Sequence, residues 1–156
     1  MEQEYFMQQA LALAQEAAVH GEVPVGCVIV HNGEIVGRGR NQREEKQAAV
    51  SHAEMEAIAQ ANAALGSWRL DECDLYVTLE PCPMCAGAMV MACLDRCYFG
   101  ARDARQGCCE SVYALPGDPA FYHRLPCVGG LMEEEAAALL RRFFQARRST
   151  EEGGTP

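Results

Sequence analysis

Two short motifs, each at the start of a predicted helix, constrain the fold of this chain more than any other feature. The first is His52-Ala-Glu54 and the second is Pro81-Cys82-Pro-Met-Cys85. A Cys-x-x-Cys at a helix start turns both sulfurs to one side, where backbone N–H groups and the helix dipole favour thiolates. If His52 joins the two sulfurs on one metal ion, the two helix starts must meet at one point of the fold.

The residue types in these motifs suit a catalytic zinc ion. One His and two Cys leave one position of tetrahedral Zn²⁺ open for a water, whose pKa falls to about 7. Glu54 lies two residues from His52, so its carboxylate can move protons between that water and a leaving amine without binding the metal. We predict one zinc per chain, held by His52, Cys82 and Cys85, with Glu54 as the catalytic acid–base group; such ligands also accept other divalent ions.

A fold-stabilising zinc knuckle is the alternative use of the same ligands. Structural zinc sites are closed by four protein ligands and need no neighbouring Glu. The fourth ligand would be drawn from Cys73, Cys93, Cys97 or Cys108. Cys93 and Cys97 fall across a predicted helix end and strand start, which favours a core role over a second metal pair. A non-catalytic, zinc-stabilised binding module is therefore the competing function from another class.

Hydrophobic periodicity and turn signals predict an α/β fold. An amphipathic helix opens the chain and ends near His20-Gly21. Asn32-Gly33 predicts a two-residue hairpin turn between strands 25–30 and 34–39. Strands alternating with helices indicate an α/β sandwich. The further elements are helices 52–65 (with Ser51 as N-cap), 86–92 and 133–147, and strands 75–79 and 97–100.

Length and composition narrow the possible functions. The 156 residues, 49% of them hydrophobic, predict one domain over residues 1–148 and a disordered polar tail over 149–156. A formal charge of −9 argues against non-specific coating of nucleic acid. Because no stretch resembles a membrane span or a signal peptide, and nine cysteines suit a reducing compartment, we expect a cytoplasmic protein without membrane contact.

Stretches outside the metal motifs carry a family resemblance. H-x-E with P-C-x-x-C is the general signature of zinc nucleobase deaminases. The further stretches are Gly21-Glu-Val-Pro-Val-Gly26, Asn41, Phe99-Gly-Ala-Arg-Asp103, and Phe143-Phe144 with Arg147-Arg148. With these, the chain resembles the tRNA-specific adenosine deaminases, which convert the wobble adenosine (position 34) of an anticodon to inosine. The resemblance implies a three-layer α/β/α sandwich with a five-stranded mixed sheet of the cytidine deaminase type, and a homodimer.

The resemblance also implies which residues contact the substrate. Asn41 would contact the flipped base, Asp103 would help to hold the nucleotide, and the last helix, with Phe144 and Arg148, would approach the anticodon stem-loop. Each has an ordinary alternative. Asn41 could turn the chain after the second strand, Asp103 could form a surface pair with a neighbouring arginine, and the C-terminal arginines could form a solvated face.

Two positions in the connection 101–126 depart from the family pattern. Glu110-Ser111 stands where the family usually has Gly-Ser, and Tyr122-His123-Arg124 stands where it usually has Asn-His-Arg. A phenol thus replaces an amide that could read an anticodon base, and Tyr122 could stack on a base instead. The departures bear on anticodon recognition and leave the metal motifs intact.

Within the enzyme class, the alternative is a deaminase of a free base or nucleoside, of the guanine or cytosine type. It would use the same metal site with a smaller pocket. The basic C-terminal helix and the stretch Phe99-Gly-Ala-Arg-Asp103 favour the tRNA substrate, because phosphate contacts rest on local basic residues.

Overall fold

The structure is a computed structural model that describes residues 2–153, with side chains described for residues 2–149. The described part of the chain contains five helices and five strands, with a 3₁₀ turn at Leu115–Gly117. In order, they are α1 (Glu2–Val19), β1 (Gly26–His31), β2 (Glu34–Arg40), α2 (Arg43–Lys46), α3 (Ala53–Leu65), β3 (Cys73–Leu79), α4 (Pro83–Met91), β4 (Arg96–Ala101), β5 (Cys127–Gly129) and α5 (Glu133–Gly153).

The five strands form one mixed sheet in the order β2-β1-β3-β4-β5. Strand β1 pairs antiparallel with β2 and β3, whereas β4 pairs parallel with β3 and β5. The predicted hairpin is confirmed, since Asn32 and Gly33 have φ values of 51° and 77° and join β1 to β2. Positive φ at both residues is what a type I′ turn requires, and its twist matches that of the flanking strands.

Helices cover both faces of the sheet, so the predicted three-layer α/β/α sandwich is confirmed. On one face, Ala57 of α3 and Met89 of α4 pack with Val77 of the sheet in one buried cluster. On the other face, Met7 of α1 and Ala136 of α5 belong to a second cluster. Both faces of the sheet carry apolar side chains because helices cover both of them, as is typical of sheets enclosed by helices.

One edge of the sheet gathers the segments that carry the predicted site residues. Because β1 runs antiparallel to β2 and β3, and β3 parallel to β4, the start of β1 and the ends of the other three strands lie at this edge. Asn41 follows β2, Cys82 follows β3 and Asp103 follows β4. The strand ends of an open α/β sheet are the usual place for a ligand site.

Some boundaries differ from the sequence-based expectation. His52, not Ser51, occupies the N-cap position of α3, which begins at Ala53. Two elements were not predicted, the one-turn helix α2 and the strand β5. Both are too short to show a hydrophobic period, and β5 is fixed by its pairing with β4.

The last helix is longer than predicted. It runs to Gly153, so residues 149–153 of the expected disordered tail are helical, and residues 154–156 lie outside the described residues. No Gly or Pro interrupts the sequence between Arg147 and Gly153, so nothing ends the helix earlier. A single domain over residues 1–148 stays a prediction. Within the described range, no helix combines the length and apolar character of a membrane span.

Gly37 of β2 permits close packing of α3 on the sheet, because a Cβ at this position would overlap the Ala57 carbonyl oxygen. We expect Gly37→Ala to lower the free energy of unfolding by about 1–3 kcal/mol, measured by denaturant titration of the zinc-loaded protein. Gly87→Ala in α4 is the control, since its Cβ would meet nothing within 4 Å. It should be neutral or stabilise by up to about 1 kcal/mol, and equal losses in both variants would contradict the packing argument.

Candidate active site

His52, Cys82 and Cys85 come together where α3 and α4 begin. His52 and Cys82 occupy the N-cap positions of these helices, with extended backbone and no side-chain capping bond. The His52 imidazole turns to the sulfurs instead, and its Nδ1 lies 3.5 Å from Sγ of Cys82 and 3.5 Å from Sγ of Cys85. The convergence expected from the two motifs is therefore present in the fold.

The donor atoms fit a zinc ion. One ring nitrogen and two sulfurs lie within 4.8 Å of one another, and this is the Cys₂His set of a catalytic zinc site. Among the described side chains, no fourth His, Cys, Asp or Glu belongs to this group. The four cysteines considered for a closed zinc knuckle are thus not brought to the site, and a bound zinc ion would have three protein ligands.

Electrostatics at the cluster favour a thiolate on Cys82. Hydrogen bonds from Cys85 and His52 lower the pKa of Cys82 to about 4. The hydrogen bond to Cys82, together with burial, raises the pKa of Cys85, and the same thiolate raises the pKa of His52. One sulfur therefore carries negative charge at neutral pH, which suits a cation bound beside it.

Glu54 lies in the first turn of α3 and is only 4% exposed. Burial raises the pKa of its carboxyl group to about 7, and the negative charge of Cys82 adds to the rise. A pKa near the working pH is what an efficient proton-transfer group needs. Glu56 points elsewhere, since it forms an ion pair with Lys46 at 3.0 Å.

A cavity of about 180 Å³ opens beside the cluster. Glu54, Asn41 and Asp103 are among its lining residues, so two of the four residues expected to contact substrate border the predicted catalytic group. An adjoining groove of about 630 Å³ shares Asp103 with the cavity and extends to Phe144. Arg148 is exposed farther along α5 and lines neither space.

Asn41 and Asp103 also hold the local backbone in place. Asn41 Oδ1 accepts a hydrogen bond from the N–H of Arg43 (3.2 Å), so its role in turning the chain is present as well. Asp103 Oδ1 accepts hydrogen bonds from the N–H groups of Arg105 and Gln106 at 3.0 and 3.2 Å. No ion pair joins Asp103 to another described side chain, so the surface-pair alternative is not what the structure shows.

Sequence reasoning missed Glu80, a carboxylate at the centre of this region. It is 2% exposed and lines the cavity. Five donors at 2.5–3.2 Å contact its two oxygens. They are the N–H groups of Asp103, Cys109, Glu110 and Ser111 and the hydroxyl of Ser111. Burial opposes its charge, but these hydrogen bonds lower the pKa of Glu80. A glutamate directly after a buried strand was the available signal.

Glu22 is a second buried carboxylate that sequence reasoning did not single out. It is 1% exposed and accepts hydrogen bonds from the N–H groups of Glu44 (3.1 Å) and Glu45 (2.7 Å). These contacts anchor α2, whose first residue, Arg43, lines both the cavity and the groove. The position of Glu22 within the stretch 21–26 was the only sequence signal for it.

The two departures from the family pattern have different surroundings. Glu110 forms an ion pair with Arg102 at 2.6 Å, and its N–H donates to Glu80. Tyr122 is 71% exposed and lines neither the cavity nor the groove. Glu110 thus pairs with an arginine that lines the groove, whereas Tyr122 lies away from both spaces, with a largely exposed side chain that hydrogen-bonds to Cys93.

Comparison with known proteins defines the class to which this site belongs. The chain belongs to the cytidine and deoxycytidylate deaminase family, whose zinc-binding region matches residues 1–101. It is 45% identical to the tRNA-specific adenosine deaminase of Bacillus subtilis over 93% of this chain and 90% of that protein. It is 42% identical to the tRNA-specific adenosine deaminase of Agrobacterium fabrum over 94% of this chain and 97% of that protein.

Solved structures agree with the fold. A structure from studies of A-to-I editing by tRNA:A34 deaminases superposes with a TM-score of 0.84 at 41% identity, covering 87% of this chain and 99% of that one. A guanine deaminase from Bacillus subtilis reaches a TM-score of 0.62 at 39% identity, with 64% of each chain covered. The cytidine deaminase-like fold and a zinc-dependent hydrolytic deaminase domain are therefore established for this chain.

We expect Glu80 to hold residues 103–111, in the connection after β4, in one conformation. In Glu80→Gln an amide nitrogen replaces an acceptor oxygen, so buried N–H groups lose their partner, and we expect a loss of about 1–3 kcal/mol in unfolding free energy. Denaturant titration and hydrogen exchange of the 103–111 amides measure the effect. Glu110→Gln, in an exposed ion pair, should change stability by no more than about 1 kcal/mol, and slow amide exchange in Glu80→Gln would contradict the assignment.

Proposed function

We propose that this chain deaminates adenosine to inosine at the wobble position (34) of a tRNA. The observation that carries the proposal is the placement of Glu54 and the His52–Cys82–Cys85 cluster at a small cavity that opens into a longer groove. A cavity of this kind suits one flipped base, and a groove beside it suits the neighbouring nucleotides of a loop. The near-complete coverage of tRNA-specific adenosine deaminases and of a tRNA:A34 deaminase structure supports the same substrate.

The proposed mechanism assigns one task to each group. His52, Cys82 and Cys85 hold the zinc, which when bound supplies the Lewis acidity that makes water nucleophilic at neutral pH. Glu54 accepts a proton from the attacking water and delivers it to a ring nitrogen of the base; it then takes the proton of the added hydroxyl and passes it to the departing amine. Water and adenosine thus give inosine and ammonia.

Asn41 and Asp103 are the proposed contacts of the nucleotide. Both line the cavity, and both have side-chain atoms already fixed by hydrogen bonds to neighbouring backbone. Side chains held in this way lose little freedom when a ligand binds. Phe144, 42% exposed beside the groove, offers a ring on which an unpaired base can stack.

Glu54→Gln tests the proton-transfer role. The amide cannot accept the water proton, so we expect the single-turnover rate on an anticodon stem-loop with adenosine at the wobble position to fall at least about 100-fold. Zinc content should remain as in the wild type, because Glu54 is no ligand in this mechanism.

Two further variants serve as controls for the Glu54→Gln measurement. Glu56→Gln, at a carboxylate paired with Lys46, should keep its rate, whereas Cys82→Ser should lose both zinc and activity because a neutral hydroxyl replaces a thiolate. A rate above about a tenth of wild type in zinc-containing Glu54→Gln, where one acid–base group is worth at least about 100-fold, would refute the mechanism.

A deaminase of free guanine is the alternative within the enzyme class, and it is supported by the likeness to a guanine deaminase structure. That likeness covers 64% of each chain, against 99% of the tRNA:A34 deaminase structure. Nucleoside analysis separates the two, after incubation with the stem-loop, with free adenosine and with guanine. Deamination of guanine without inosine in the stem-loop would reverse the assignment.

Basic side chains beside the groove are the proposed phosphate contacts in this acidic chain. Arg43 and Arg105 line the groove, and neither forms an ion pair with a described carboxylate. Arg148 lies four residues, about one helical turn, beyond Phe144 on α5. These three arginines provide local positive charge along the path from the cavity to the last helix.

Arg148→Ala should raise KM for the stem-loop and leave kcat within about two-fold, since one phosphate contact contributes binding and no chemistry. The slope of log binding constant against log salt should fall by about one. Arg142→Ala is the control, because Arg142 lies on the same helix but borders a different groove, which Leu11 and Gln15 of α1 also line. The same salt slope in wild type and Arg148→Ala would assign Arg148 to a solvated face.

We also propose a homodimer in the cytoplasm. Trp68, Met91 and Tyr122 are 61%, 63% and 71% exposed, an exposure of large apolar side chains that a second subunit would reduce. Nine free cysteines fit a reducing compartment. Light scattering should give twice the chain mass of 17.0 kDa and fractionation should find the protein in the cytosol; a monomer at micromolar concentration would contradict the dimer.

A further inference from the structure

A second cluster of thiols lies away from the proposed catalytic centre. Cys97 of β4, Cys109 of the following connection and Cys127 of β5 place their sulfurs within 4.8 Å of one another. Cys97 and Cys127 are directly paired in the parallel ladder of β4 and β5. Each of these thiols makes a side-chain hydrogen bond to another member of the cluster. None of the three forms a disulfide.

The geometry points to a metal site, and we propose that Cys97, Cys109 and Cys127 bind a thiophilic ion of the Zn²⁺ or Cu⁺ class. With a metal–sulfur bond of about 2.3 Å, sulfurs on one ion lie roughly 3.8–4.0 Å apart, a spacing that this cluster accommodates. Soft thiolate ligands select these ions over Mg²⁺ or Ca²⁺. The only other such group among the described side chains is the His52 cluster.

Coordination number decides how each ion would bind. No His, Asp or Glu joins the three cysteines within the described part of the chain. Cu⁺ can be held by three thiolates alone, whereas Zn²⁺ would complete its four ligands with a molecule from solution. Cys127 is half-buried on the edge strand β5, so an ion has an entry path to two sulfurs that are otherwise buried.

An ion at this cluster would connect two parts of the fold. The N–H of Cys109 donates to Glu80 at 3.2 Å, and the same carboxylate holds the N–H of Asp103. Bound metal would therefore fasten the connection that carries Asp103 to the edge strand. This is a stabilising role, separate from the deamination chemistry.

Metal content per chain tests the proposal. Apo-protein, prepared with chelator under reducing conditions, is loaded anaerobically with Zn²⁺ or with Cu⁺, desalted and analysed for metal and protein. We expect about two ions per wild-type chain and about one in Cys109→Ala and in Cys127→Ala. Cys73→Ala, at another buried cysteine, should keep two. One ion per wild-type chain with both metals, or two ions in Cys127→Ala, would overturn the proposal.

A double variant isolates the second site without altering its cysteines. His52→Ala with Cys82→Ser disables the proposed catalytic ligands and should retain one ion, whose X-ray absorption spectrum shows sulfur neighbours and no imidazole nitrogen. That ion should raise Tm by about 5 °C. An imidazole signal, no bound ion, or a disulfide within the cluster of the metal-free protein would each contradict the site.

Discussion

The carboxylate of Glu80 holds the connection after β4 in a fixed position relative to the end of β3. It lies between the end of β3 and Cys82, and its oxygens accept four backbone N–H groups and one hydroxyl from residues 103–111. A buried anion with every acceptor position in use is stable only while those donors stay in place. The path of the connection after β4, relative to the end of β3 and to Cys82, therefore depends on one side chain.

The sheet places the segments that carry the site residues next to one another. Because β1 runs opposite to β2, β3 and β4, the start of β1 and the ends of the other three strands lie at one edge, and α3 and α4 begin there. Strand pairing thus brings site residues that are far apart in sequence to the same edge of the sheet. Close contact between α3 and the glycines of β2 fixes how near α3, with His52 at its N-cap, lies to the sheet.

Local signals in the sequence were sufficient to predict the hairpin and the convergence of the site residues. Asn32-Gly33 defined the hairpin, and the two motifs at helix starts identified the residues that converge at the site. Long-range features were beyond such signals. The burial of Glu80 and Glu22 depends on where distant backbone N–H groups lie, and the meeting of Cys97 with Cys127 depends on the parallel pairing of a three-residue strand. Neither follows from periodicity or composition.

The burial of Glu54 has a consequence for hydrogen exchange during turnover. At 4% exposure, its carboxyl group meets solvent chiefly through the cavity that it lines. In the proposed mechanism, a base that fills this cavity cuts that route, and the hydrogen taken from water is held until it is passed to the substrate. The attacking water would then supply the oxygen and the ring N–H hydrogen that inosine gains and the hydrogen that ammonia gains, so the three added atoms of the two products would come from one water molecule.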